Sequence, residues 1–142
     1  MTMTIDLGHA LAVLNRLAAV NLSPWMEMVG RQAQESIQHR IRESKLDPEN
    51  APWSPWMPST EMHRRHKGNA GQGLLWDQGT LLNSIRFEHS GDSVAIGTDV
   101  DYAKYLQDGT GNMAARPFVG WSDGQIAELE FSAVRFLEGL IL

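Results

Sequence analysis

The stretch Ile85 to Gly97, "IRFEHSGDSVAIG", decides the fold class. Ile85 and Phe87 alternate with Arg86 and Glu88, and Val94 and Ile96 alternate with Ser93, Ala95 and Gly97. A period of two puts one apolar row on one face of a strand. Ser90-Gly91-Asp92 between the rows supplies a turn, so the stretch reads as a β-hairpin with one buried face.

Outward from the hairpin the period changes to that of helices. Leu81, Leu82 and Ile85 form a short helix leading into the first strand. Residues 6–20 carry Leu7, Leu11, Leu14 and Ala18 at helical spacing, widened by Ala10, Val13 and Leu17. Asn21 to Ser23 interrupts, and Ser23-Pro24 starts a second helix running from about Pro24 to about Lys45. Its inner face is Ala33, Ile37 and Ile41, and Asp47-Pro48 ends it. Downstream, Tyr102 to Gln107 is a turn or short helix, and Arg116 to Trp121 is extended. Ser122 to Gln125 has capping-box form and opens a last helix with Ile126, Leu129, Ala133, Phe136 and Leu140 on one side. The expected fold is α+β: two N-terminal helices, a long Pro/Trp/Gly loop, and a small antiparallel sheet with a C-terminal helix packed on it. Residues 1–142 are read as a single domain.

The loop spans Asp47 to Gly79 and holds Pro48, Pro52, Pro55 and Pro58 with Gly68, Gly71, Gly73 and Gly79. It also holds Trp53, Trp56 and Trp76, and disordered linkers are poor in aromatics. The front half, Pro48 to Thr60, is therefore expected to be anchored, with Trp53 and Trp76 against the core. Residues 61–73 are expected to be flexible and to order against a neighbour on assembly.

Composition narrows the function. At 142 residues and 42% hydrophobic the chain buries a real core. No apolar run approaches the ~20 residues of a membrane span, and Asp6 and His9 break the position where a secretory signal keeps its apolar core. The absence of cysteine removes disulfides and thiolate metal sites and fits a reducing cytoplasm. A net charge of −5 favours protein partners over nucleic acid. The one dense basic run, His63-Arg64-Arg65-His66-Lys67, is the basis of a rival reading as a nucleic-acid-binding module.

Catalytic motifs fail on inspection. Gly109-Thr110-Gly111 lacks the third glycine and the lysine of a phosphate loop. Asp99 and Asp101 begin like a calcium loop, but Ala103 stands where a third ligand belongs; these acids are expected to cap the turn near Tyr102. His63 and His66 lack companions beyond Glu61. Ser59, Ser84 and Ser122 have no nucleophile signature. No catalytic residue, cofactor or metal is expected. Trp56 and Trp121 are candidate interface aromatics, and with Met57 and Met113 they are loop residues expected to seed an interface between neighbours.

Four blocks, "DPENAPWSPWMPST", "LLWDQGTLLNSI", "VAIGTDVDYAKYLQDGT" and "ARPFVGWSD", stand in this order. Together they resemble the phage virion morphogenesis family, the Mu-type tail completion proteins. The matching positions are Asp47-Pro48, Trp53 and Pro55, Gly79 and Leu81, Gly97-Thr98, Tyr102-Ala103, Gln107 and Gly109, and Ala115 to Phe118. Departures are Gln78 before Gly79, Met113-Ala114 before the Ala-Arg-Pro-Phe block, Trp56 where leucine is commoner, and Trp121 after Gly120.

The resemblance implies a non-enzymatic protein at the head-proximal end of the tail, acting in tail completion and head-tail joining. It implies neck or connector partners, tail-tube or terminator partners, and a ring, most simply a hexamer. It places the protein in the virion, and in the host cytoplasm during assembly, with no membrane and no sequence-specific nucleic acid. A tail terminator or connector stopper at the same junction is the near alternative. Tyr102 to Phe118 becomes an interaction loop: Tyr102 and Phe118 pin its ends to the core, Gly109 and Gly111 let its middle adapt, and Arg116 donates to a carboxylate or to backbone carbonyls. The expected interaction residues are Trp56, Arg64, Arg65, Tyr102, Gln107, Gly109, Arg116, Phe118 and Trp121.

Overall fold

The computed structural model describes residues 1–8, 21–90 and 93–141. The helix expected over 6–20 falls mainly on residues outside that description, as do Gly91 and Asp92 of the expected turn. In chain order the elements are β1 Thr2–Asp6, α1 Ser23–His39 with a π-helical turn Arg40–Ser44, and α2 Pro58–Lys67. Then come a 3₁₀ turn Ala70–Gln72, α3 Thr80–Ser84, β2 Arg86–Ser90, β3 Ser93–Gly97, α4 Ala103–Asp108 and α5 Asp123–Ile141. The fold is α+β, with helices against a small antiparallel sheet.

The hairpin strands pair as their alternation predicts, but they form part of a three-stranded sheet in the order β1-β3-β2. The added strand comes from the N-terminus. Met3 lies opposite Ile96 and Ile5 opposite Val94, while Phe87 faces Ile96 from the other side. Met3, Ile5, Val94, Ile96 and Phe87 thus share one apolar face, and Val94 and Ile96 at its centre are fully buried. "TMTID" is only five residues long and runs straight into a helical apolar stripe, which masked its alternation.

Helix α1 lies across this face. Trp25, Val29, Ala33 and Ile37 are buried along it, and Ile41 continues the row through the π turn. Its start differs in detail from the expectation: Ser23 is the first helical residue, and its N–H donates to Asn21 Oδ1. Gly30 sits over the Phe87 ring, where an added Cβ would come within 2.1 Å of the ring carbon Cδ2. The helix and sheet are that close because position 30 has no side chain. Helix α5 opens with the expected capping box: Ser122 N–H donates to Gln125 Oε1, and Gln125 N–H to Ser122 Oγ. It docks through Leu129 and Ala133, and Ser132 Oγ accepts from Trp25 Nε1 at 3.1 Å. Ile126, expected on the inner face, is exposed.

The long connection is less irregular than its composition implies. Pro58 enters at the start of α2, where its missing N–H costs nothing. Gly68, at φ +79°, ends the helix in the left-handed region that glycine adopts freely. Arg64 is the one buried residue of α2 and donates to the carbonyls of Gly73 and Trp76. Lys45, just past the π turn, reaches the carbonyls of Ile41, Gln72 and Leu74. These carbonyls hold the ammonium without neutralising it. Burial first, and the charge of Arg64 second, lower its pKa from 10.5 to about 8.

Two outcomes follow from this packing. Gly30→Ala should lower unfolding stability by about 1–3 kcal/mol, because the overpacking against Phe87 outweighs the gain in helix propensity; denaturant titration with far-UV dichroism measures it. For Lys45, the folded chain binds fewer protons than the unfolded chain between pH about 8 and 10.5. The cost of holding its charge is complete below about pH 8 and disappears as pH rises through that window, so stability rises with pH there. The stability difference between wild type and Lys45→Met should therefore climb across the window and stay flat between pH 6 and about 7.5.

Candidate interaction site

The segment from Gly109 to Val119 has little regular structure, yet many of its backbone groups find partners. Gly109, at φ +75°, donates to Tyr105 O and ends α4. A Cβ there would lie 2.8 Å from Ala115 N and 2.9 Å from Met113 O, so position 109 demands glycine twice over. Thr110 and Met113 pair across a tight turn, and a Cβ added at Gly111, at its tip, would meet only open space. Arg116 N–H returns to Leu106 O at 2.7 Å.

Gln107 acts as a substitute strand partner. Its Oε1 accepts from the N–H groups of Phe118 and Val119, and its Nε2 donates to Val119 O at 2.9 Å. Trp53 Nε1 donates to Pro117 O, and Arg40 Nη1 to Phe118 O, both at 2.7 Å. Phe118 itself is wholly buried among Ile37, Ile41 and Leu81 of the core cluster. Burial lowers the pKa of Arg40, with a smaller opposing pull from Asp47.

Arg116 is only 8% exposed. Its Nε and Nη2 donate to the carbonyls of Ser54 and Pro55, each at 2.8 Å. It thereby ties the 109–118 segment to the Trp-Pro segment, and burial lowers its pKa. Between these two segments lies a cleft of about 680 Å³. Trp56 and Met57 form one wall and Leu74, Leu75 and Asp77 the second; Tyr102, Leu106, Met113 and Arg116 close the third.

Of the expected interaction residues, Trp56, Arg64, Tyr102 and Arg116 converge on this cleft. Arg64 lies beneath the Trp56 ring, 4.9 Å from its centroid, and pairs with Asp77 at 3.2 Å. Tyr102 is 45% exposed at the rim. Gln107, Gly109 and Phe118 lie behind the cleft and brace it. Arg65 stands apart on the outer face of α2, paired with Glu61. Trp121 lines a separate groove with Ile5, Trp25 and Leu129. The basic run is not a free cationic patch: Arg64, Arg65 and Lys67 each have an acidic partner. That double pairing, led by the Lys67 hydrogen bond, holds the Asp77 carboxyl below its ordinary pKa.

Asp99 and Asp101 do not cap α4; Thr98 Oγ1 accepts from Val100 N–H instead. Among the described residues no group of three metal-ligating side chains exists, and no helix is long and apolar enough to cross a membrane. Met57 and Met113, read from the sequence as interface seeds, line the cleft, whereas sequence reading did not find Leu74, Leu75 or Asp77 there. Those three lie in one short stretch, and its local clue was Asp77 beside Trp76. Leu75 is also unusual in its backbone, a branched residue at φ +62°.

The model of the phage virion morphogenesis family matches residues 5–135. The chain belongs to that family. Neither the curated proteins nor the solved structures contain a match. The match covers β2 and β3, the braced segment, the cleft and most of α5, and begins within β1. Membership points to a structural role in phage assembly, among other virion proteins.

Gln107→Leu should cost about 2–4 kcal/mol, since it strands two backbone donors and one acceptor. Gln107→Glu keeps the acceptor and loses only the donor, so it should fall between; thermal unfolding of both variants checks the order.

Proposed function

We propose that this member of the phage virion morphogenesis family completes the head-proximal end of the tail and helps join it to the filled head. Family membership carries this reading. The site adds support: a segment braced from behind leaves its cleft-facing residues free for a partner. The protein acts without catalysis, through contacts with neck or connector proteins on one side and tail-tube or terminator proteins on the other. It works in the virion as a ring, in this reading a hexamer. A head-to-tail interface closes when its rotation closes, which suits a junction between stacked rings.

Residues 61–73 are the part proposed to adjust on assembly. Among α2 residues only Arg64 reaches the interior, so little apolar burial holds the helix in place. Exposed Met57 and Met62 at this end offer apolar surface to a neighbour.

Electron microscopy of particles assembled without the protein tests the role. Separate full heads and tails of normal length are expected. Overlong tails would replace the joining role with that of a tail terminator, and heads that lose their DNA would replace it with a connector stopper.

A further inference from the structure

Arg116 is a buried cation without an anion. Among the described residues it makes no ion pair, and its two hydrogen bonds go to neutral carbonyls. Carbonyl dipoles hold a guanidinium but leave its charge in place, and Nη1 has no partner among the described residues. The other charges of the cleft cancel, because Asp77 is paired with Arg64 and with Lys67 outside it. A chain of net charge −5 thus presents a cleft whose balance is positive.

The rest of the cleft is mixed, with Thr60, Gln78, Thr80 and Asn112 beside a larger apolar share. Leu74, Leu75, Leu106 and Met113 line it, and Met57 stands at its rim 65% exposed. Leu75 holds its side chain there from a left-handed backbone, at φ +62°, a conformation costly for a branched residue. A concave cleft of this volume, with apolar side chains and a few convergent polar groups, has the form of a binding site. One uncompensated cation is too little for a polyphosphate backbone, which is gripped by several cations at once. One carboxylate beside apolar side chains matches both features.

We propose that this cleft binds an extended segment of a partner virion protein, in which an aspartate or glutamate pairs with Arg116 and flanking apolar side chains enter between Leu74, Leu75 and Met113. The proposal rests on the assembly role above and adds the chemistry of the partner. A carboxylate completes the guanidinium that Ser54 and Pro55 already orient, so the arginine is pre-organised rather than recruited.

The test selects a displayed library of random short peptides on the full chain, then measures the enriched peptides by fluorescence anisotropy. Enrichment of Asp or Glu beside Leu, Met or Phe is expected. Changing the acid of an enriched peptide to its amide should weaken binding at least about tenfold. Arg116→Gln should abolish the preference for the acid. Because that variant also loosens Ser54 and Pro55, Met57→Glu provides the fold-independent arm. It places a negative charge on an exposed rim residue and should weaken binding severalfold with unchanged unfolding temperature. No enrichment, enrichment without acids, or equal binding by Met57→Glu overturns the proposal. Enriched peptides that match the acidic α5 of this chain, with its exposed Phe131 and Val134, also overturn it and assign the cleft to a second copy. Particle morphology reports on the joining role alone, and peptide selection on the cleft alone, so the two readings fail separately.

Discussion

Cationic side chains that grip backbone carbonyls hold this molecule's irregular half together. Arg40 takes Phe118 and Gly120, Lys45 takes Ile41, Gln72 and Leu74, Arg64 takes Gly73 and Trp76, and Arg116 takes Ser54 and Pro55. The small sheet and the long helices α1 and α5 satisfy most of their own backbone groups. The Trp-Pro segment and the stretch after α4 do not, and a buried carbonyl without a donor costs roughly 1–3 kcal/mol. Each long cation reaches several such groups at once. Gln107 and Trp53 do the same work with neutral donors.

This way of holding loops has an electrostatic consequence. Carbonyls orient a charge but do not cancel it. Of the four cations, Arg64 has a carboxylate within pairing distance, and burial lowers the pKa of the other three. Lys45 and Arg64 also repel one another across the 72–76 turn. The fold therefore tolerates positive charge inside an acidic protein. That charge is available where such a cation borders solvent, as Arg116 does at the cleft.

It has a mechanical consequence as well. Apolar anchoring alone would draw Met57 and Met113 inward as well as Leu74 and Leu75, which already pack partly against the core. Polar bracing from behind leaves those side chains facing the cleft. An assembly protein needs surfaces that are shaped in advance yet not already satisfied, because ordering a loop at the moment of contact lowers the affinity it yields. The rigid core of α1 against the sheet, set by the close approach at Gly30 and Phe87, supplies the platform on which this arrangement rests.

The sequence by itself determined the elements whose signals are local. Alternation specified the two hairpin strands, the Ala33-Ile37-Ile41 row specified α1, and Ser122 with Gln125 specified the start of α5. The ordered Trp-Pro, Gly-x-Leu, Gly-Thr and Ala-Arg-Pro-Phe blocks carried the family. Tertiary structure alone decided the rest. β1 is a strand because β3 offered it an edge, and five residues of weak alternation do not announce that. Residues 58–67 form a helix although their composition reads as a loop, since Arg64 finds its partners nine and twelve residues further on. Arg116 was legible as a donor, but its use of the Ser54 and Pro55 carbonyls spans some sixty residues of chain. Periodicity records which face of an element is buried. It does not record which distant backbone a long cation will reach, because that depends on where the chain returns in space.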